Sequence, residues 1–276
     1  MEKVPALFIL GFGHSGSTLL DLLLDGHSRL MGVGEIELAT DESICTCGKR
    51  ARECHVWKEA LGPSPAPRRE VYRSKWDFLF NRGPFRAGST HQIIDQKEFT
   101  DATLFTMRTV LKETGKTIIV DSSAQTDRAD LLSRSPDIEP MYVQLVRDGR
   151  GATWSFIRKY QHIYPFIVMW CAGNLKLSLF LRRARGKKLF MRYEDLVREP
   201  EQQLRRICDM LGVPFEPRML NFRENEHHQV EGNRTRFGKD PIRIDDKWRR
   251  DMPLYQRALF NLLFGWLNLY YRFRSE

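Results

Sequence analysis

LFILGFGHSGSTLLDLLL, residues 7–24, runs from an unbroken apolar stretch through a turn with three glycines and three hydroxyls into an amphipathic segment. That order predicts a buried strand, a phosphate-binding loop and a helix. Gly11, Gly13 and Gly16 let the backbone turn tightly, so that its N–H groups and the positive end of the following helix converge on one anion. The loop is not a Walker A motif, which places lysine directly before the hydroxyl; here Gly16 is followed by Ser17 and Thr18. A nucleoside triphosphatase is thereby disfavoured. The glycine spacing also satisfies a dinucleotide fingerprint, but that fingerprint needs an acidic residue ending a second strand about twenty residues on. Glu35 and Glu37 are the candidates, and they follow Gly32 and Gly34 in a poor strand ending.

Outward from this loop, 276 residues with 42% hydrophobic and 29% charged side chains suffice for one large domain spanning residues 1–276. A net charge of +9 suits an anionic partner: a nucleotide, an acidic glycan or nucleic acid. His14 and Asp21 interrupt residues 7–24, so no secretory leader is read there. Residues 258–271 are rich in Leu, Phe, Trp and Tyr but contain Asn261 and Asn268 and fall short of the ~20 residues of a membrane span. They predict a core-packing terminal helix and no transmembrane segment. Five cysteines, with Cys171 and Cys208 inside apolar helical patterns, point to a reducing compartment and a cytoplasmic location.

The pattern of strand and helix repeats along the chain. A short apolar stretch covers residues 30–33, and helical periodicity covers 69–81 and 99–114 as an insertion. Strands are predicted at 117–120, 141–146 and 188–192, and helices from 127, from 152 and over 201–211, the last stopped by Gly212 and Pro214. Such alternation implies an α/β fold with a mainly parallel, doubly wound sheet. In such sheets ligands bind beyond the carboxyl ends of the strands, which places residues 11–18, 121–123 and 147–155 on one rim. There the segment LVRDGRGATWS puts Arg147 at a strand end and Ser155 eight residues later on the next helix. A planar guanidinium fork and a helix-borne hydroxyl suit a terminal phosphate. The plainer reading is a salt bridge from Arg147 to Asp148 and a capping serine.

Taken together, GFGHSGSTLL, VGE at 33–35, VDSS at 120–123, LVRDGRGATWS, RYEDLVREPE at 192–201 and GNRTRF at 232–237 resemble the sulfotransferases that use 3′-phosphoadenosine-5′-phosphosulfate (PAPS), in their bacterial-type, carbohydrate-like branch. The resemblance spans most of the chain. It implies a P-loop-like loop of Gly13, His14, Ser15, Gly16, Ser17 and Thr18 around the 5′-phosphosulfate, with Arg147 and Ser155 holding the 3′-phosphate. It further implies Tyr193 near the adenine, although a tyrosine ending a strand also suits the core, and Arg234 and Arg236 in a closing segment over the adenosine. Two positions depart from the pattern. His14 stands where the family commonly has Arg or Lys, exchanging a permanent charge for one titrating near pH 6.5, and Ala124 stands where lysine often follows VDSS. Arg128, one turn on, is a replacement cation.

Sulfuryl transfer needs an in-line acceptor, stabilised charge on the transferred group and a base. The resemblance implies Glu35, in VGE, as the base, best served if partial burial raises its pKa towards neutrality; the plainer reading is a surface glutamate next to Glu37. His14 joins it as a catalytic candidate, and His227 and His228, in a polar segment that also suits a solvated loop, are rival bases because other branches of the family use histidine. The expected donor is PAPS and the expected acceptor a hydroxyl-bearing small molecule or sugar, with no nucleic acid partner. An atypical phosphate-loop kinase and a non-catalytic anion-binding protein are the alternatives. Cys45, Cys47 and Cys54, beside His55, invite a zinc reading, but C-x-C is tighter than the usual C-x₂₋₄-C pair. The expectation is therefore no metal, and a surface loop near the acceptor.

Overall fold

The computed structural model of the protein describes residues 2–61, 96–160, 164–238 and 242–273. The predicted helix at 69–81 lies outside the described residues. Strand β1 (Val4–Leu10) divides its side chains by twos: Ala6, Phe8 and Leu10 pack into one apolar cluster, and Leu7 and Ile9 into another. A strand buried on both faces belongs at the centre of a parallel sheet. It pairs there with β3 (Ile118–Asp121) on one side and β4 (Ile138–Val146) on the other, while β2 (Leu30–Gly32) and β5 (Lys187–Arg192) form the edges. The order β2-β3-β1-β4-β5 is parallel throughout. Strand β4 begins at Ile138 rather than 141, because Glu139 and Pro140 interrupt the apolar run while their backbones stay in register with Pro5 and Ala6.

Helices cover both faces. On one lie α1 (Ser17–Asp25) and, following the short α6 (Tyr193–Arg198), α7 (Pro200–Leu211), whose Leu20, Leu23, Leu204 and Ile207 pack on Leu7, Ile9 and Val143. On the other lie α2 (Gln96–Thr114), α3 (Thr126–Ser133) and the end of α5 (Tyr164–Arg183), packed on Phe8, Ile119 and Tyr142. A third cluster joins α4 (Gly149–Tyr160) and α5 to the terminal helix α9 (Leu254–Tyr270), which the short α8 (Trp248–Asp251) precedes. The terminal helix is only half a core helix: Phe260, Leu267 and Asn268 are buried, whereas Leu254, Leu262 and Trp266 are exposed. Its apolar residues occupy more of the circumference than one packed face can cover. Among the described residues, no helix is long and apolar enough to cross a membrane.

The connection leaving β1 runs towards β2, and the one leaving β4 runs the opposite way towards β5. The crevice between their carboxyl ends is the switch point of the sheet. Residues 11–16 and Arg147 border it.

Candidate functional site

The loop after β1 turns through two left-handed residues, His14 (φ 67°) and Gly16 (φ 95°), with the Ser15 amide donating to the Phe12 carbonyl at 3.2 Å. Gly16 is required twice over, because a Cβ there would also lie 2.5 Å from the Tyr193 ring. No side chain caps α1, so the loop leaves the helix's first amides directed at the crevice. The His14 ring stands edge-on to Phe156 and Phe166, and its Nδ1 lies 3.0 Å from Ser155 Oγ. The predicted titration near pH 6.5 is corrected by this setting. Burial, and then the charges of Lys159, Arg147 and Arg158, lower the His14 pKa to about 4, so the ring is neutral at physiological pH.

Arg147 leaves the end of β4 and turns back to the loop, donating to the His14 carbonyl at 3.3 Å and stacking over the Tyr193 ring at 4.7 Å. Its other terminal nitrogen donates to Asp245, at 2.8 Å to the carbonyl and 3.1 Å to the carboxylate, which Arg158 also meets at 3.1 Å. Two guanidinium groups thus share one anion at the mouth of the crevice. The plainer reading of Arg147 fails, since Asp148 pairs with Arg150 at 2.7 Å and accepts from Asn268 at 3.0 Å. Tyr193, at the start of α6, packs against both Gly16 and Arg147, and Ser155 is joined to the loop through His14. The four expected elements of an anion site, loop, arginine, serine and tyrosine, therefore meet.

Glu35 approaches the same rim from β2. Its amide donates to the Val230 carbonyl at 3.1 Å, and Gly34 forms a parallel bridge with Val230 while holding φ 70°. A Cβ on Gly232 would sit 3.6 Å from both Glu35 Oε1 and Thr18 Oγ1, so the carboxyl and the loop's last hydroxyl both border Gly232. Burial first, with help from Glu231 and against the pull of Arg236 and Lys159, raises its pKa to about 7. Arg236 reaches the Gly232 carbonyl at 2.9 Å and the Ile44 carbonyl at 3.2 Å, tying down the same segment, and Arg234 is exposed.

Two acids inside α1 position Glu35, and the sequence reading missed them. The buried Asp25 and Asp21 accept from the amides of Gly32 (2.8 Å) and Gly34 (3.0 Å), and Ser122 donates to Asp21 at 2.5 Å. The signal was present: two aspartates four apart, on one face of a helix whose other residues from 19 to 25 are all leucine, have no reason to be there unless they bind something inside. Lys159 is a second omission, close enough to both His14 and Glu35 to shift their protonation.

Other expected residues serve elsewhere. Arg128 is buried in an ion pair with Asp121 and faces Glu37, so it is not the cation replacing Ala124. Glu37 is itself buried, its pKa raised to about 8 by burial against the pull of Arg128. The two rival bases are engaged as well. His227 meets the Asp25 carboxylate through Nδ1 and the Phe222 carbonyl through Nε2, and His228 turns Nδ1 to the sulfurs of Cys45 and Cys54. The cysteine segment is not a surface loop: Cys45 and Cys54 are wholly buried, and none of the five cysteines is in a disulfide.

A sequence model of the sulfotransferase family matches residues 5–217. The chain belongs to the sulfotransferase family. Carbohydrate sulfotransferase 1 of Danio rerio is 26% identical to this sulfotransferase over 147 residues, covering 43% of the chain and 34% of the relative, so the chain matches about a third of that relative's length. Among solved structures, the sulfotransferase domain of the Synechococcus PCC 7002 olefin synthase superposes with a TM-score of 0.53 at 23% identity, over 96% of each chain. The sulfotransferase domain from the curacin biosynthetic pathway gives 0.57 at 19% identity, over 96% of this chain and 99% of that one. A sulfotransferase of Mycobacterium avium gives 0.57 at 13% identity, over 100% and 79%. These likenesses establish the α/β fold of this sulfotransferase, one all-parallel five-stranded sheet between flanking helices.

Proposed function

We propose that this sulfotransferase moves the sulfuryl group of PAPS to a hydroxyl of a sugar or another small molecule, with Glu35 as the base. The observation that carries the reading is the convergence of Arg147, Ser155 and the loop from Gly13 to Thr18 on one crevice, where two guanidinium groups already hold a carboxylate. The 3′-phosphate takes the place of the Asp245 carboxylate on Arg147, with Ser155 as a second donor, and the 5′-phosphosulfate lies on the amides of the loop and α1. Tyr193 fixes the plane of Arg147, and the segment carrying Arg234 and Arg236 closes over the adenosine, the part its resemblance to the family assigns it. Neutral His14 contributes hydrogen bonding through its ring and leaves the cationic charge to Arg147, Arg158 and Lys159. The acceptor oxygen attacks sulfur, its proton passes to Glu35, and the bond from sulfur to the phosphate oxygen breaks to release 3′-phosphoadenosine-5′-phosphate. No step calls on a metal. The name of the zebrafish relative favours a sugar hydroxyl.

Calorimetry tests the donor. The protein should bind 3′-phosphoadenosine-5′-phosphate in clear preference to 5′-AMP, and equal affinity for the two would defeat the proposal. An acceptor screen with labelled PAPS, weighted towards sugars, then identifies the second substrate.

A further inference from the structure

Cys45, Cys47, Cys54 and His228 come from three places in the chain, yet their ligand atoms all lie within 4.8 Å of one another. The Cys45 and Cys54 sulfurs are 3.7 Å apart, and His228 Nδ1 is 3.7 Å from the first and 3.3 Å from the second. Four ligands placed tetrahedrally at zinc bond lengths of about 2.0–2.3 Å stand roughly 3.5–3.8 Å from one another. We propose that these four residues form a structural zinc site. Three thiols release their protons to solvent, the imidazole binds through neutral Nδ1, and no electron moves.

Three further observations fit a closed metal centre. His228 Nε2 lies 3.4 Å from a Glu226 carboxylate oxygen, the outer partner that orients a ligating imidazole. The sulfurs face backbone amides, that of Cys47 at Cys45 and those of Val56 and Trp57 at Cys54, donors suited to thiolates. Trp57 donates to the His228 carbonyl and seals the inner side, and Cys45 and Cys54 have no exposed surface. Four protein ligands leave no position for a substrate, so the centre is structural rather than catalytic. Sulfur and imidazole together favour zinc over the hard cations, which take oxygen ligands.

The tight C-x-C spacing succeeds because the chain reverses there: Gly48 holds φ 84°, its amide donates to the Cys45 carbonyl at 2.9 Å, and the Cys45 amide donates to Lys49 at 2.9 Å. Both thiols then come within 4.8 Å of the Cys54 sulfur. The centre also ties the segment following Glu35 to the one preceding Gly232. Val230, two residues beyond His228, bridges both Cys45 and Gly34 and accepts from the Glu35 amide. The assignment is independent of the sulfuryl-transfer proposal.

Metal analysis of the full chain, purified under reducing conditions without chelator, should give one zinc per chain. Replacement by cobalt should produce the visible bands of tetrahedral coordination with thiolate charge transfer. Cys47→Ala changes a half-buried side chain; it should abolish stoichiometric zinc and lower the melting temperature, while His228→Cys should keep the metal. Three results would each overturn the assignment: zinc well below one per chain in soluble protein refolded with zinc sulfate, zinc retained undiminished in Cys47→Ala, or a Cys45–Cys54 disulfide in protein isolated without reductant.

Discussion

Glu35 holds its proton in the folded state up to about pH 7, whereas the unfolded chain releases it near 4.5. The stability this gives is fully present below pH 4.5 and is lost as the pH rises through 7, because the folded state binds more protons across that window. As a base, the same carboxyl must be ionised, so turnover should rise with pH through about 7 while resistance to urea declines. Glu35→Gln should abolish turnover, leave binding of 3′-phosphoadenosine-5′-phosphate intact and raise the urea midpoint at pH 8 relative to the parent; unchanged turnover would remove Glu35 from the role. Arg147→Ala should cost about 1.5–3 kcal/mol of affinity for that nucleotide, the range of a hydrogen bond to a charged group, and leave 5′-AMP unaffected in parallel titrations. Lysine at 147 should restore only part, lacking the planar fork. Asp245→Asn should strengthen binding, since the amide is a poorer competitor for the two arginines. The sequence placed Arg147 at a strand end and Ser155 on the next helix, but type and spacing alone also fit a salt bridge and a capping serine, and only the company of the other motifs pointed the pair at one anion. The neutrality of His14 was not legible, because it comes from Phe156, Phe166, Lys159 and Arg158, which only the tertiary structure places around the ring.

At the scale of elements, α1 joins the loop at one end to the Glu35 segment along its side. Asp25 is held by Lys116 at 2.7 Å and by His227, and it holds the Gly32 amide in turn. Asp25→Ala leaves a buried lysine contact, an imidazole and an amide without their acceptor, and should destabilise the protein by about 3–5 kcal/mol, the cost of breaking a buried charge pair from one side. Urea unfolding measures it. The terminal helix offers an internal contrast. Phe260→Ala, which empties a site against Trp170 and Gly149, should cost about 3–5 kcal/mol. Leu262→Ser, on the 81% exposed face, should stay within about 0.5 kcal/mol. Periodicity located α2, α7 and α9 to within a few residues because it records which positions face apolar neighbours. It could not tell how much of α9 would be covered, because that depends on α4 and α5 packing from elsewhere in the chain.

At the scale of the molecule, the strand–helix alternation made the parallel sheet legible, and the glycine loop marked the edge where its crevice opens. The order of strands was not readable, since nothing local states that β1 lies between β3 and β4. The same long-range closure hides the cysteine centre, whose fourth member stands 174 residues beyond Cys54. A net charge of +9 acts over the whole surface, so affinity for the doubly phosphorylated nucleotide should fall as salt rises from 50 to 300 mM, more steeply than for 5′-AMP. Placing the first strand in the middle also has a consequence during synthesis on the ribosome. Val4 to Leu10 pair along their whole length with residues 138–144 and over only three residues with β3, so a nascent chain stalled before position 138 leaves one whole edge of this hydrophobic strand open. Such a stalled chain should be cut readily by protease and retained by chaperones, and protection should appear only after the fourth strand has cleared the exit tunnel.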